Sequence, residues 1–208
     1  MSAFMSPEVH RLDRPVLVWR LPAGSRAVST AVAGGGIGPC EWVFNAEVHH
    51  DYHRDPVEHL AELVGVLGLS GRGAGMLTAA DVRRWRTASD EGVGCTTTVG
   101  LSHPVFAAAP DEAASLVGTI NTFCWVPVPL EDAALVNMVV TATEAKAQAL
   151  AECGVAGTGT ASDAVVVACP GGPGEQFGGP RSRWGARLAR AVHAATADGT
   201  RDWLARDR

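Results

Sequence analysis

The chain carries no excess of basic charge. Its 17 Lys and Arg residues face 22 Asp and Glu, for a formal charge of −5, which argues against a dedicated nucleic-acid binder. It has no apolar run approaching the ~20 residues of a membrane span. Met1–Arg20 lacks the charged-then-apolar layout of a secretory leader. Cysteine is sparse and unpatterned: Cys40, Cys95, Cys124, Cys153 and Cys169 are odd in number, far apart, and include no Cys-x-x-Cys. A zinc knuckle and a disulfide framework are thereby excluded, and a reduced, cytoplasmic protein is expected. Cys95 reads as a small buried hydrophobe rather than a nucleophile. H-E-x-x-H, G-x-G-x-x-G and the P-loop with its terminal lysine are all missing. Lysine itself is nearly missing, since Lys146 stands alone among the 17 basic residues.

What is present is globular. The 208 residues are 47% apolar and 19% charged, enough for one domain, 1–208, that folds without a metal or disulfide staple. Pro15–Leu21 and Ser25–Ala33 read as two β-branched strands across a Pro22-Ala23-Gly24 turn. Residues 33–39 form a glycine loop, readable as a flexible turn or as a backbone cradle for ligand at Gly35 and Gly36. Glu41–Val48 is a strand, and Pro56–Leu69 is a helix by its Val57, Leu60, Leu63, Val64, Leu67 spacing. Gly71–Gly75 reads as a break, and Thr78 as the N-cap of a short helix. Gly92–Leu101, Gly118–Val128 and Asp163–Cys169 are strands, the last of the fully buried kind. Leu130–Cys153 is the longest helix, stopped by Gly154. After the Gly/Pro loop 170–180, a last helix runs from about Ser182 to Ala197, with a fraying tail after Gly199. The expected class is α+β: a single domain with a large mixed or antiparallel sheet flanked by helices.

Several groups of residues are candidates for chemistry. On the long helix, Leu135, Val139, Ala142, Lys146, Leu150 and Cys153 share one stripe, with Val136 and Thr143 beside it; Asn137, Thr141, Glu144 and Gln148 make the polar side. Lys146 thus projects from an apolar face, where a lysine either loses its proton readily and serves as a base or snorkels outward. In the Gly118 strand, alternation puts Thr119, Asn121, Phe123 and Trp125 on one face. Thr119 can supply a hydroxyl nucleophile and Asn121 an oxyanion donor. The runs 95–98, containing Thr97 and Thr98, and 158–163, containing Thr160, Ser162 and Asp163, are further polar starts to strands that together line one site at a sheet's end. The histidines His49, His50 and His53 read as a solvated loop, as ligand contacts with His50 foremost, or as a metal group. Arg183, Arg187 and Arg190 make an exposed basic face on a docked helix.

These segments resemble a known family. Gly75–Val82, Thr97–Ser102, Gly118–Thr122, Ala134–Lys146 and Gly157–Val167 are similar, in this order, to motifs of the adenosylcobinamide amidohydrolases, and the likeness spans roughly residues 25–195. Ala161 departs from the hydroxyl residue expected there. The resemblance implies corrinoid salvage: hydrolysis of the amide joining the aminopropanol arm to the corrin side chain, giving adenosylcobyric acid. It implies a corrinoid small molecule as partner, no nucleic acid or membrane, and no required cofactor, the cobalt belonging to the substrate. A homo-oligomer is left open, and there is no room for the phosphatase-type domain of some relatives. With Thr119 as nucleophile, or positioning substrate for attack by water, Asn121 or a neighbouring backbone N–H as oxyanion donor and Lys146 as base, Asp163 completes the catalytic set. The Gly-Thr strand, long helix and Ser-Asp strand also faintly resemble the threonine-nucleophile acyltransferases of arginine synthesis, which implies an α-β-β-α sandwich. Two rivals remain: a non-catalytic corrinoid-binding protein, and a metal-dependent amidohydrolase using His49, His50 and His53.

Overall fold

In the computed structural model, which describes residues 5–110 and 118–206, the strands are β1 (Glu8–Arg11), β2 (Pro15–Arg20), β3 (Ser25–Ser29), β4 (Gly36–Pro39), β5 (Trp42–Glu47), β6 (Gly73–Thr78), β7 (Arg86–Asp90), β8 (Val93–Gly100), β9 (Thr119–Trp125) and β10 (Ala164–Pro170). The helices are α1 (Pro56–Val66), α2 (Asp132–Glu152) and α3 (Arg183–Arg206). The strands form two mixed sheets, β1-β2-β5-β6 and β4-β3-β10-β9-β8-β7.

Period-2 alternation decides which way each strand faces. Leu17, Trp19 and Val43 of the first sheet meet Phe123, Val166 and Ala168 of the second in one apolar layer. Their neighbours Val16, Val18, Trp42 and Phe44 pack outward with Leu60 of α1. On the far side, Cys95, Cys124, Val165 and Val167 bury against Leu135, Met138 and Leu188 of α2 and α3. The result is α+β with four layers, α-β-β-α.

Several expectations are corrected. Pro15–Arg20 and Ser25–Ser29 do not form a hairpin; the chain crosses at Pro22–Gly24 from one sheet to the other. Gly73 and Gly75 lie inside β6 rather than in a break. A Cβ at Gly73 would strike the Trp42 ring, and one at Gly75 would meet Phe44 at 2.7 Å, so the glycines let bulky rings of β5 lie across the neighbouring strand. Thr78 ends β6, and the short 3-10 turn Val82–Arg84 is capped by Asp81 instead. The polar run Arg86–Asp90, passed over as a strand, is the edge strand β7, where alternating exposure is tolerated. Thr141 is buried, its hydroxyl donating to Gly178 O at 2.9 Å. The tail does not fray at Gly199: α3 continues through Arg206, with Gly199 buried against Val99 and Asp202 held by Arg84 and Arg86.

Candidate active site

Strands β9 and β10 are parallel neighbours, with Ala164 opposite Asn121, and α2 supplies the crossover that parallel pairing requires. Their N-terminal ends therefore lie side by side. There, Thr119 Oγ1 and Ser162 Oγ are 2.7 Å apart. Ser162 Oγ donates to Gly118 O at 2.9 Å, so the proton between the two hydroxyls comes from Thr119.

Asp163 organises this end. Its Oδ1 accepts from Ile120 N at 2.8 Å and from the Thr160 hydroxyl, whose alternative acceptor is Gly118 O at 2.7 Å. Its Oδ2 accepts from Thr160 N at 3.1 Å and from Lys146 Nζ. Backbone and side-chain donors thus saturate the carboxylate. A Cβ at Gly159 would collide with both Asp163 and Lys146, so the glycine leaves the space in which the ion pair closes. Lys146 is only 7% exposed.

Two residues along the same face of β9, the two sheets are joined by a polar chain through otherwise apolar packing. Asn121 Nδ2 donates to Asn45 Oδ1 at 2.8 Å and to Leu77 O at 2.9 Å. Asn45 Nδ2 in turn donates to Thr98 Oγ1 at 2.9 Å. A cavity of about 570 Å³ opens beside Thr119 and Asn121. Its wall includes Thr119, Asn121, Ser162, Asp163, Thr78 and His50, and Val32 at 63% exposure makes an apolar stretch of its lining.

The predicted residues therefore separate. Thr119, Asn121, Ser162, Asp163 and His50 share the cavity wall. Thr160 and Lys146 stand behind it, holding Asp163. Lys146 is a donor in an ion pair with Asp163 and does not line the cavity. Asn121 has spent both Nδ2 hydrogens and has none for an oxyanion. Thr98 does not line the cavity; it sits opposite Asn121 in the β8–β9 ladder and its hydroxyl accepts from Asn45. Thr97 faces the other way, donating to Asn121 O at 3.0 Å beside Thr122. Gly35 and Gly36 do not line the cavity; the glycine loop packs on Arg72, which donates to Gly35 O at 3.1 Å. Thr143 is exposed on the outer face of α2, bonded back to Val139 O.

The histidines diverge as well. His49 packs on the Arg14 guanidinium, and His53 turns to Asp51 O. His59 stacks on Tyr52, and burial, followed by the Arg54 charge, lowers its pKa. Among the described residues no three His, Cys, Asp or Glu side chains converge as a metal-holding group. Cys95 is wholly buried beside Cys124, its thiol pushed up chiefly by desolvation. Sequence reading missed Asn45, a polar residue inside a hydrophobic strand whose only signal was that it interrupts the apolar run.

A family model for adenosylcobinamide amidohydrolases matches residues 2–208. The chain is 33% identical over 184 residues to an adenosylcobinamide amidohydrolase of Halobacterium salinarum, covering 83% of this chain and 78% of that protein. It is also 33% identical over 143 residues to one of Methanosarcina mazei, covering 68% of each. With the alternating core, the hydroxyl-lined cavity and a match over nearly its whole length, the chain belongs to the adenosylcobinamide amidohydrolase family.

Proposed function

We propose that this enzyme hydrolyses the amide between the aminopropanol arm and the corrin side chain of adenosylcobinamide, releasing adenosylcobyric acid for cytoplasmic corrinoid salvage. The observation that carries the reading is the Thr119–Ser162 hydroxyl pair, 2.7 Å apart on the wall of a 570 Å³ cavity. The cavity suits a side arm and its amide, with the macrocycle resting against an apolar stretch of the wall at Val32.

Amide hydrolysis needs an attacking oxygen and a proton for the leaving amine. Thr119 already donates towards Ser162, the direction in which a nucleophile must lose its proton. As Thr119 Oγ1 bonds to the amide carbonyl carbon, its proton passes to Ser162 and the Ser162 proton passes to the amine. The C–N bond breaks, aminopropanol leaves, and water hydrolyses the resulting ester. His50, exposed on the lining of the same cavity, would orient that water. The chemistry calls on no added cofactor, and the cobalt is the substrate's own.

Purified protein incubated with adenosylcobinamide should yield aminopropanol and adenosylcobyric acid by mass spectrometry, with and without chelator. Thr119→Ala should lower turnover by at least ~100-fold. Tight corrinoid binding with no product leaves a carrier protein. Turnover lost to chelator and regained with zinc restores the histidine reading.

A further inference from the structure

Asn121, which lines the cavity, carries a buried acceptor that nothing among the described residues uses. Asn121 is 1% exposed, and its Oδ1 has no hydrogen-bond partner among the described residues. The orientation of this amide is fixed by its neighbours. Leu77 O can only accept, so the nitrogen must face the first sheet, at 2.9 Å. Asn45 Oδ1 takes the other Nδ2 hydrogen, because the Asn45 nitrogen is turned to Thr98 Oγ1. Turning Asn121 over would set its oxygen against Leu77 O. A buried carbonyl oxygen left without a donor is costly, and such groups are rare in native structures unless a ligand or water completes them.

We propose that Asn121 Oδ1 accepts the N–H of the scissile amide, and that Asn45 and Thr98 are positioning residues that hold it ready to do so. The inference rests on the amide-hydrolase reading above. An amide formed on a primary amine keeps one N–H, and Asn121 lies two residues along the same strand face from Thr119, where the carbonyl carbon is attacked. The consequence is a preference for an amide over the corresponding ester. An ester presents a lone pair where the amide presents a hydrogen, setting two acceptors against each other.

The test measures pre-turnover binding by stopped-flow on the corrinoid chromophore, using adenosylcobinamide and an analogue with an ester oxygen in place of the amide N–H. Wild type should bind the amide about tenfold more tightly than the ester. Asn121→Ala should bind the two equally. Asn121→Asp keeps an acceptor but loses both bridges to the first sheet, so it should retain a reduced preference. Thr98→Val, outside the cavity, should weaken the preference while leaving the ester's affinity unchanged. An Asn121→Asp variant as indifferent as Asn121→Ala overturns the proposal, because it reduces Asn121 to a bridge between sheets. A wild-type protein that hydrolyses the amide yet binds both ligands equally overturns it while leaving the proposed function intact. Failure to bind either corrinoid overturns both.

Discussion

Lysine and arginine meet carboxylates in two different settings here. Lys146 and Asp163 form a pair whose side chains are 9% and 11% exposed, between α2 and the start of β10. Along α3, Arg187 meets Glu91, Arg190 meets Asp90, and Asp202 meets Arg84 and Arg86, with at least one partner of most pairs open to solvent. The charges are alike; what differs is what else each carboxylate touches and how much water screens it. Asp163 receives Ile120 N, Thr160 N and the Thr160 hydroxyl besides the ammonium. Its removal or release would free the turn that carries Ser162. The α3 pairs fasten a helix already anchored by Leu188, Ala191, Val192 and Ala195. Burial makes one pair part of the site's geometry, while exposure makes the others adjustable.

The contrast is open to attack, and the largest expected effect is at Lys146. Lys146→Met leaves Asp163 charged and without its cation, so stability should fall by about 3 kcal/mol in urea unfolding. Turnover should fall at least ~100-fold as Ser162 loses its support. Lys146→Arg preserves the charge in a cramped site and should keep turnover within about tenfold of wild type. An arginine variant as inactive as the methionine one, yet folded, would reinstate Lys146 as a proton acceptor.

Gly159→Ala tests the same pair from the other side. The added methyl collides with both partners, and overpacking of this kind costs about 1–3 kcal/mol. Thermal melts should show the loss, together with reduced turnover. A variant of normal stability would mean that the pair moves aside freely and is no rigid part of the site.

Asp202 should give a smaller, pH-dependent effect. Hydrogen bonds from Arg84, and then the surrounding arginine charges, hold its carboxyl below the ordinary value. A depressed carboxylate stabilises the fold above its unfolded pKa, and that contribution is lost as pH falls through the folded value. The melting midpoint should therefore decline on acidification more steeply in wild type than in Asp202→Asn, with turnover at neutral pH unchanged in both. Smallest of all, Arg190→Ala should leave both the neutral-pH midpoint and turnover unchanged within error, since its exposed pair with Asp90 is screened by solvent.

Much of the fold was legible in the sequence because most elements obey a single local rule. Asp163–Cys169 is apolar after its first residue and became the buried strand β10; the long periodic run ending at Gly154 became α2. Where local rules misled, a distant partner decides. Gly73 and Gly75 read as a break until Trp42 and Phe44 are seen lying over them. The two strands flanking Pro22–Gly24 read as a hairpin because sequence proximity says nothing about which sheet each joins. At the site, Thr119, Asn121, Ser162, Asp163 and Lys146 do converge, since small polar residues at strand starts with a lysine on an apolar helix face are locally conspicuous. Their division of labour was not legible. It depends on which hydrogens are already committed, and Leu77 O and Asn45, the groups that commit those of Asn121, carry no motif.

The parallel pairing of β9 with β10 has a bearing on how the enzyme comes into being. The two hydroxyls at its centre are 43 residues apart in the chain, with the whole of α2 between them. Helix α2 is a local structure and forms early, whereas the strand pairing it spans is non-local and slow to close. During refolding, the helical signal should therefore return before catalysis does. The return of activity then serves as a clock for crossover closure, the moment at which Ser162 first comes within reach of Thr119.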